Sequence, residues 1–232
     1  MIFADFLKAL GQLGDPRFRR VLWLGLGLSL ALLVGVYALF LLGVQVLVPD
    51  TLTLPWVGEV GGIDSLLSWA SILLMVLLSS FLMLPVASAF GGLFLDEVAA
   101  AVEARHYPHL AAATPPPLAQ TLIDTANFIG LMILVNLFGL VLYVFAGPFL
   151  PLVFWALNGF LLGREYFQAV ALRRLGRDGA RALRRRHSAQ IWLAGALMAA
   201  PLSIPVVNLL VPILGVATFT HLFHRLQATP AG

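Results

Sequence analysis

VLWLGLGLSLALLVGVYALFLLGVQVLV, residues 21–48, runs for twenty-eight positions without a charge, and its reading decides which solvent the chain is built for. As a helix rising about 1.5 Å per residue it makes a rod of roughly 42 Å, against a hydrocarbon core of roughly 30 Å. It therefore crosses a bilayer with room to tilt. It is too long for the apolar region of a secretion signal, and no small-residue cleavage site follows it, so retention in the protein is expected. A second uncharged stretch, residues 65–95, continues in helical pattern through Asp96, Glu97 and Glu103 to Arg105. A helix over 65–105 is about 60 Å long, so its acidic end projects into water.

Composition agrees with that reading. Hydrophobic residues make up 60% of the chain and charged residues 11%, against roughly 25% charged in a soluble domain. The 232 residues suffice for one helical membrane domain spanning 1–232. The absence of cysteine excludes disulfides, thiolate catalysis and cysteine metal sites.

Arginine placement orients the chain, because positive residues in short loops stay on the cytoplasmic face. Arg17, Arg19 and Arg20 precede the first apolar stretch. Arg173, Arg174, Arg177, Arg181, Arg184, Arg185 and Arg186 crowd a later basic segment, 172–187, whereas the loop 49–64 carries only Asp50, Glu59 and Asp64. That loop is expected outside, with both termini and the basic segment in the cytoplasm. The remaining apolar regions must then enter and return. Residues 125–163 are uncharged and broken at Gly147, Pro148 and Pro151, where a turn is favoured, so 118–171 reads as one hairpin. Residues 188–220 are broken by Pro201, Pro205 and Pro212. The arms 189–204 and 206–221, about 24 Å each, are too short for a full crossing, so 188–224 reads as a re-entrant hairpin whose turn needs protein or water around it. Half-crossing arms leave a path incompletely lined, which predicts a homo-oligomer. Residues 1–13 alternate Ile2, Phe3, Phe6, Leu7 and Leu10 with Asp5, Lys8 and Gln12, the pattern of an amphipathic helix at the interface. Gly14, Asp15 and Pro16 open the first span. Pro115, Pro116 and Pro117 end the second helix, and Leu118 begins the next element.

Charged groups near membrane depth mark pathways or helix contacts. Asp96, Glu97, Arg164 and Glu165 are the candidates, with Arg164 expected to pair with Asp96 or Glu97 or to remain water-facing. Asn127, Asn136, Asn158 and Asn208 serve either a path or helix–helix hydrogen bonding. The seven-arginine segment reads as an anion vestibule or, better, as a lipid-facing orientation signal, since its arginines surround a helix. His106 with His109 and His221 with His224 lack completing ligands, so no metal site is expected. No nucleotide loop, nucleic-acid reader or convergent catalytic set is present, which argues against an enzyme, an ATP-driven pump and a nucleic-acid partner.

Several blocks resemble one family, the CysZ-type sulfate permeases of bacteria, across most of the chain. They are Asp15-Pro16-Arg17-Phe18-Arg19-Arg20, Leu95-Asp96-Glu97 through Val102-Glu103-Ala104-Arg105, Asn158-Gly159-Phe160-Leu161-Leu162-Gly163-Arg164-Glu165-Tyr166-Phe167, Ala182-Leu183-Arg184-Arg185-Arg186, and Ile204-Pro205-Val206-Val207-Asn208-Leu209. The resemblance implies an all-α protomer of the inner membrane, with two long transmembrane helices and two half-penetrating hairpins. It also implies an oligomer that passes sulfate inward to feed cysteine synthesis, without a cofactor. It places the sulfate site at Arg19 and Arg20, with Arg17 and Phe18 standing where the family usually shows glycine and an aliphatic residue. A helix N-terminus offers free N–H groups and a positive dipole end, and arginine forks suit tetrahedral oxyanions. A related oxyanion such as sulfite, thiosulfate or selenate fits the same chemistry. A non-transporting membrane scaffold in contact with lipid is the rival from another class.

Overall fold

A computed structural model describes residues 2–47, 52–54, 58–60, 95–111, 113–114, 117–204 and 210–228. The elements are α1 (Ile2–Gly11), α2 (Pro16–Leu47), a ribbon of β1 (Leu52–Leu54) and β2 (Gly58–Val60), α3 (Leu95–His106), α4 (Leu118–Ala146), α5 (Leu150–Arg186), α6 (Ser188–Ala199) and α7 (Val211–Ala228). Residues 65–94 of the helix expected over 65–105, and the turn residues Pro205 and Asn208, lie outside the described residues.

The chain forms two compact units, residues 24–90 in one and residues 1–23 with 91–232 in the other. In the first, α2 continues to Leu47, and the acidic loop contains an antiparallel ribbon pairing Leu52 with Val60 and Thr53 with Glu59. That ribbon was not anticipated from sequence. Three-residue strands leave almost no period-2 pattern to read.

The second unit is built around α7, buried along most of its length. Ala217, Phe219, Leu222 and Phe223 are fully enclosed among Val98 and Val102 of α3 and Phe167, Val170 and Ala171 of α5. Small residues set the closest approach. A methyl group on Gly195 of α6 would collide with the Gly159 carbonyl of α5, and one on Gly163 would sit 2.6 Å from the Ile191 carbonyl oxygen. The Gly159-x-x-x-Gly163 spacing thus lets the α5 and α6 backbones touch, and Trp192 Nε1 donates across the seam to the Ala156 carbonyl at 3.0 Å.

Proline and glycine punctuate the chain as expected at three places. Pro16 is the first residue of α2, Leu118 the first of α4, and Gly147 (φ 49°) opens the turn between α4 and α5. Pro212 does not break its segment. It sits in the first turn of α7, where its missing N–H has no intrahelical partner to lose. Nor do the three prolines terminate α3, which ends earlier at His106.

Large apolar side chains face outward. On α4 these include Leu134, Leu137, Phe138, Val144 and Phe145, the last 81% exposed. A patch of that extent is foreign to a water-soluble surface. Among the described residues one helical stretch, Ile123–Arg186, is long and apolar enough to cross a membrane, and its turn at Gly147 divides it into two arms. The α1 helix is inverted in the same sense. Asp5 and Ala9 are buried, while Phe3, Leu7 and Leu10 are exposed.

Candidate functional site

The proposed anion-binding segment starts at Asp15, which caps α2. Its Oδ1 accepts the Arg17 backbone N–H at 2.9 Å, and its carbonyl accepts the Arg19 N–H at 3.1 Å. Gln12 Nε2 holds the other carboxylate oxygen at 3.1 Å and reaches the Ala101 carbonyl of α3 at 3.3 Å. Phe18 is buried in the core, as is Val21. With Phe18 fixed inward, Arg17, Arg19 and Arg20 lie at exposed positions around the first turn. Arg20 comes within 3.8 Å of Glu97 with its side chain 72% exposed, a pairing of little energetic weight. The structure therefore brings Arg20 near Glu97, leaves Arg17 and Arg19 exposed on the same turn, and withdraws Phe18 from any ligand. The Asp15 carboxylate already occupies one amide and answers part of the helix dipole, so a bound anion would rely on the guanidinium groups.

Asp96 does not meet Arg164. Its carboxylate lies 3.2 Å from Arg173 Nε. Arg173 is nine positions further along α5, about 13 Å of helix, so the register of α3 against α5 differs from that expectation. Arg164 and Glu165 have no ion-pair partner among the described residues and are half-buried on α5.

The strongest polar constellation centres on Glu103, which sequence reasoning placed only as part of an acidic helix end. Arg174 grips it with both fork donors, Nε to Oε1 at 2.9 Å and Nη2 to Oε2 at 2.7 Å. His224 Nε2 lies 3.1 Å from Oε1, and Arg173 Nη2 is 3.8 Å from Oε2. Arg174 also donates to the Ala111 carbonyl. This part of α3 lies beyond the apolar stretch. Burial alone would push the Glu103 carboxyl up, but the His224 and Arg174 hydrogen bonds and the two arginine charges outweigh it and hold it at about 2.

Around that carboxylate the histidines pair across helices instead of along them. The His106 ring meets His221 edge-on at 4.8 Å, Tyr107 Oη lies 3.1 Å from His221 Nδ1, and Tyr107 stacks on His224 at 4.2 Å. His109 is exposed. Two further forks tie the unit: Arg225 of α7 to Asp5 of α1 at 2.7 Å and Arg177 of α5 to Asp124 of α4 at 2.6 Å. Arg173, Arg174 and Arg177 thus serve carboxylates, which corrects the reading of the whole basic segment as lipid-facing. The asparagines behave as helix-bound groups where a bond is seen. Asn136 donates to the Met132 carbonyl and Asn158 to the Phe154 carbonyl. A carboxylate directly after the apolar run 98–102 was the available signal for the Glu103 cluster, because an acid packed there requires partners.

Outward-facing apolar side chains and a helical stretch long and apolar enough to cross a bilayer fit the class of helical membrane proteins. The chain belongs to the family described as sulfate transporter CysZ/etoposide-induced protein 2.4, which matches it over residues 5–212. No curated protein matches the chain. Membership in that family makes transport the class of function to consider.

Proposed function

We infer that this protein is a permease for sulfate, passing the ion inward across the bacterial cytoplasmic membrane as an oligomeric channel without nucleotide hydrolysis. The observation that carries the reading is the family match over residues 5–212, and the exposed Arg17, Arg19 and Arg20 around the first turn of α2 supply suitable donors. In this reading α2 and the helix ending in α3 are the two long membrane helices, and both termini are cytoplasmic. The α4–α5 hairpin has arms long enough to cross, since the 29 residues of α4 measure about 43 Å. By contrast α6, at 12 residues, spans about 18 Å and turns back within the bilayer. Arg19 and Arg20 receive the dianion, and Phe18 anchors their turn.

Radiolabelled sulfate uptake into proteoliposomes tests this. Saturable flux, inhibited by sulfite or selenate and lost in a correctly inserted Arg19→Ala/Arg20→Ala protein, is the expected result. Preference for another oxyanion in the competition would reassign the substrate. Absence of flux from folded protein across several lipids and gradients would overturn transport in favour of a scaffold.

A further inference from the structure

The helix α5 does not run straight. Gly176 has φ 66° and ψ −173°, a backbone region open essentially to glycine alone. Residues 168 and 184 would be about 24 Å apart on a continuous helix, yet Arg184 Nη1 donates to Gln168 Oε1 at 3.0 Å. The chain therefore doubles back at Gly176 and lays the arm carrying Arg181 and Arg184 against the arm carrying Arg164 and Gln168.

That reversal gathers like charges. Arg164 and Gln168 are four apart and share a face of one arm, while Arg181 and Arg184 are three apart and share a face of the other. Arg164 and Arg181 repel each other, and Arg184 feels Arg164, Arg181 and Arg185. The carboxylate that acts on Arg184 is Asp124, and Arg177 already holds its Oδ1 by two donors at 3.0 and 2.6 Å. Glu165 adjoins Arg164 in sequence, but its position on the helix is turned about 100° away, and no bond joins the two. Arg164, Gln168 and Arg184 are half-buried and Arg181 is exposed. The reversal thus sets Arg164 and Gln168 on one arm against Arg181 and Arg184 on the other, and the hydrogen bond from Arg184 to Gln168 joins the two arms. A cluster whose guanidinium donors outnumber the Gln168 and Asp124 oxygens beside them is complementary to a ligand made of acceptors with negative charge.

We propose that Arg164, Gln168, Arg181 and Arg184, brought together by the reversal at Gly176, form a second oxyanion site that binds a tetrahedral sulfate or phosphate group, free or carried by a lipid. The site is separate from the turn at Arg19 and Arg20 and does not depend on transport.

The test uses the purified full-length protein in neutral detergent and follows its unfolding temperature as sulfate replaces chloride at constant ionic strength. Among the described residues neither Arg164 nor Arg181 has a hydrogen bond or ion pair to lose, so the variant Arg164→Gln/Arg181→Gln should unfold no earlier than wild type in chloride. Wild type should show a saturable rise with sulfate whose midpoint concentration increases at least about tenfold in that variant, the scale expected for losing charge-assisted forks. The Arg19→Ala/Arg20→Ala protein should keep the rise. Repeating the titration in phosphatidylcholine bilayers with and without phosphatidylglycerol separates the sources. A rise caused by phosphatidylglycerol itself, absent in the variant, assigns the group to a lipid phosphate, and a sulfate response that persists beside that lipid assigns it to the free ion. Identical responses of wild type and variant to both sulfate and phosphatidylglycerol would overturn the site.

Discussion

Glu103 shows how much one side chain organises. It receives Arg174, Arg173 and His224, and so joins α3, α5 and α7 at one point. Removing a carboxylate from such a place leaves buried cations facing one another, which costs far more than the pair itself contributes relative to an apolar substitute. Glu103→Ala should lower unfolding stability by on the order of 3 to 5 kcal/mol, read from thermal unfolding in detergent. Its pH dependence has a defined sign. The carboxyl sits near 2 in the folded protein against an ordinary 4.5, so its stabilisation is complete above about 4.5 and is lost as pH falls toward 2, a loss of about 3 kcal/mol. Glu103→Gln should flatten that part of the acid limb, and an unchanged acid limb would show that Glu103 does not carry it. None of these partners was readable from sequence. The acid and the arginines were visible, but which arginine meets which acid is fixed by helix register, and a shift from Arg164 to Arg173 changes the answer completely.

At the scale of elements, legibility followed locality. Pro16, Leu118 and Gly147 mark boundaries because their effects act within a few residues, and the structure puts boundaries there. The reversal inside α5 was missed because Arg-rich helical sequence surrounds Gly176, and a lone glycine in a helical pattern is ordinarily tolerated. The Gly159-x-x-x-Gly163 spacing stands in the sequence but was not read as a helix seam, because the partner that needs the space, Gly195, is known only from packing. That seam predicts a sharp contrast between two glycines. Any side chain on Gly195 meets the Gly159 carbonyl and the Gly163 backbone, whereas Gly130 on α4 has open space around it. Gly195→Val should separate the helices and cost roughly 3 kcal/mol or more, since overpacking is relieved here only by moving backbone. Gly130→Ala should be neutral or stabilising by up to about 1 kcal/mol through higher helix propensity. Thermal unfolding of the two variants side by side checks this, and equal tolerance at both positions would contradict the tight crossing.

For the molecule as a whole, the partners of some arginines bear on its orientation in the membrane. Arg173, Arg174 and Arg177 are tied to Asp96, Glu103 and Asp124, so they serve the fold as well as the membrane. The bias survives that discount, because acidic residues contribute little to retention of a loop and the count of arginine and lysine dominates. Arg17, Arg19 and Arg20 at one end and Arg181, Arg185 and Arg186 at the other remain exposed, while residues 49–64 contain no arginine or lysine at all. Both arginine groups should therefore face the cytoplasm, and the ribbon of β1 and β2 the opposite side. The cysteine-free sequence makes this directly measurable with single introduced thiols. Thr53→Cys should react with a membrane-impermeant maleimide added to intact spheroplasts, and Ala182→Cys only after the membrane is opened. The reverse pattern would invert the topology, and with it the side of the membrane from which the proposed site at Arg19 and Arg20 is reached.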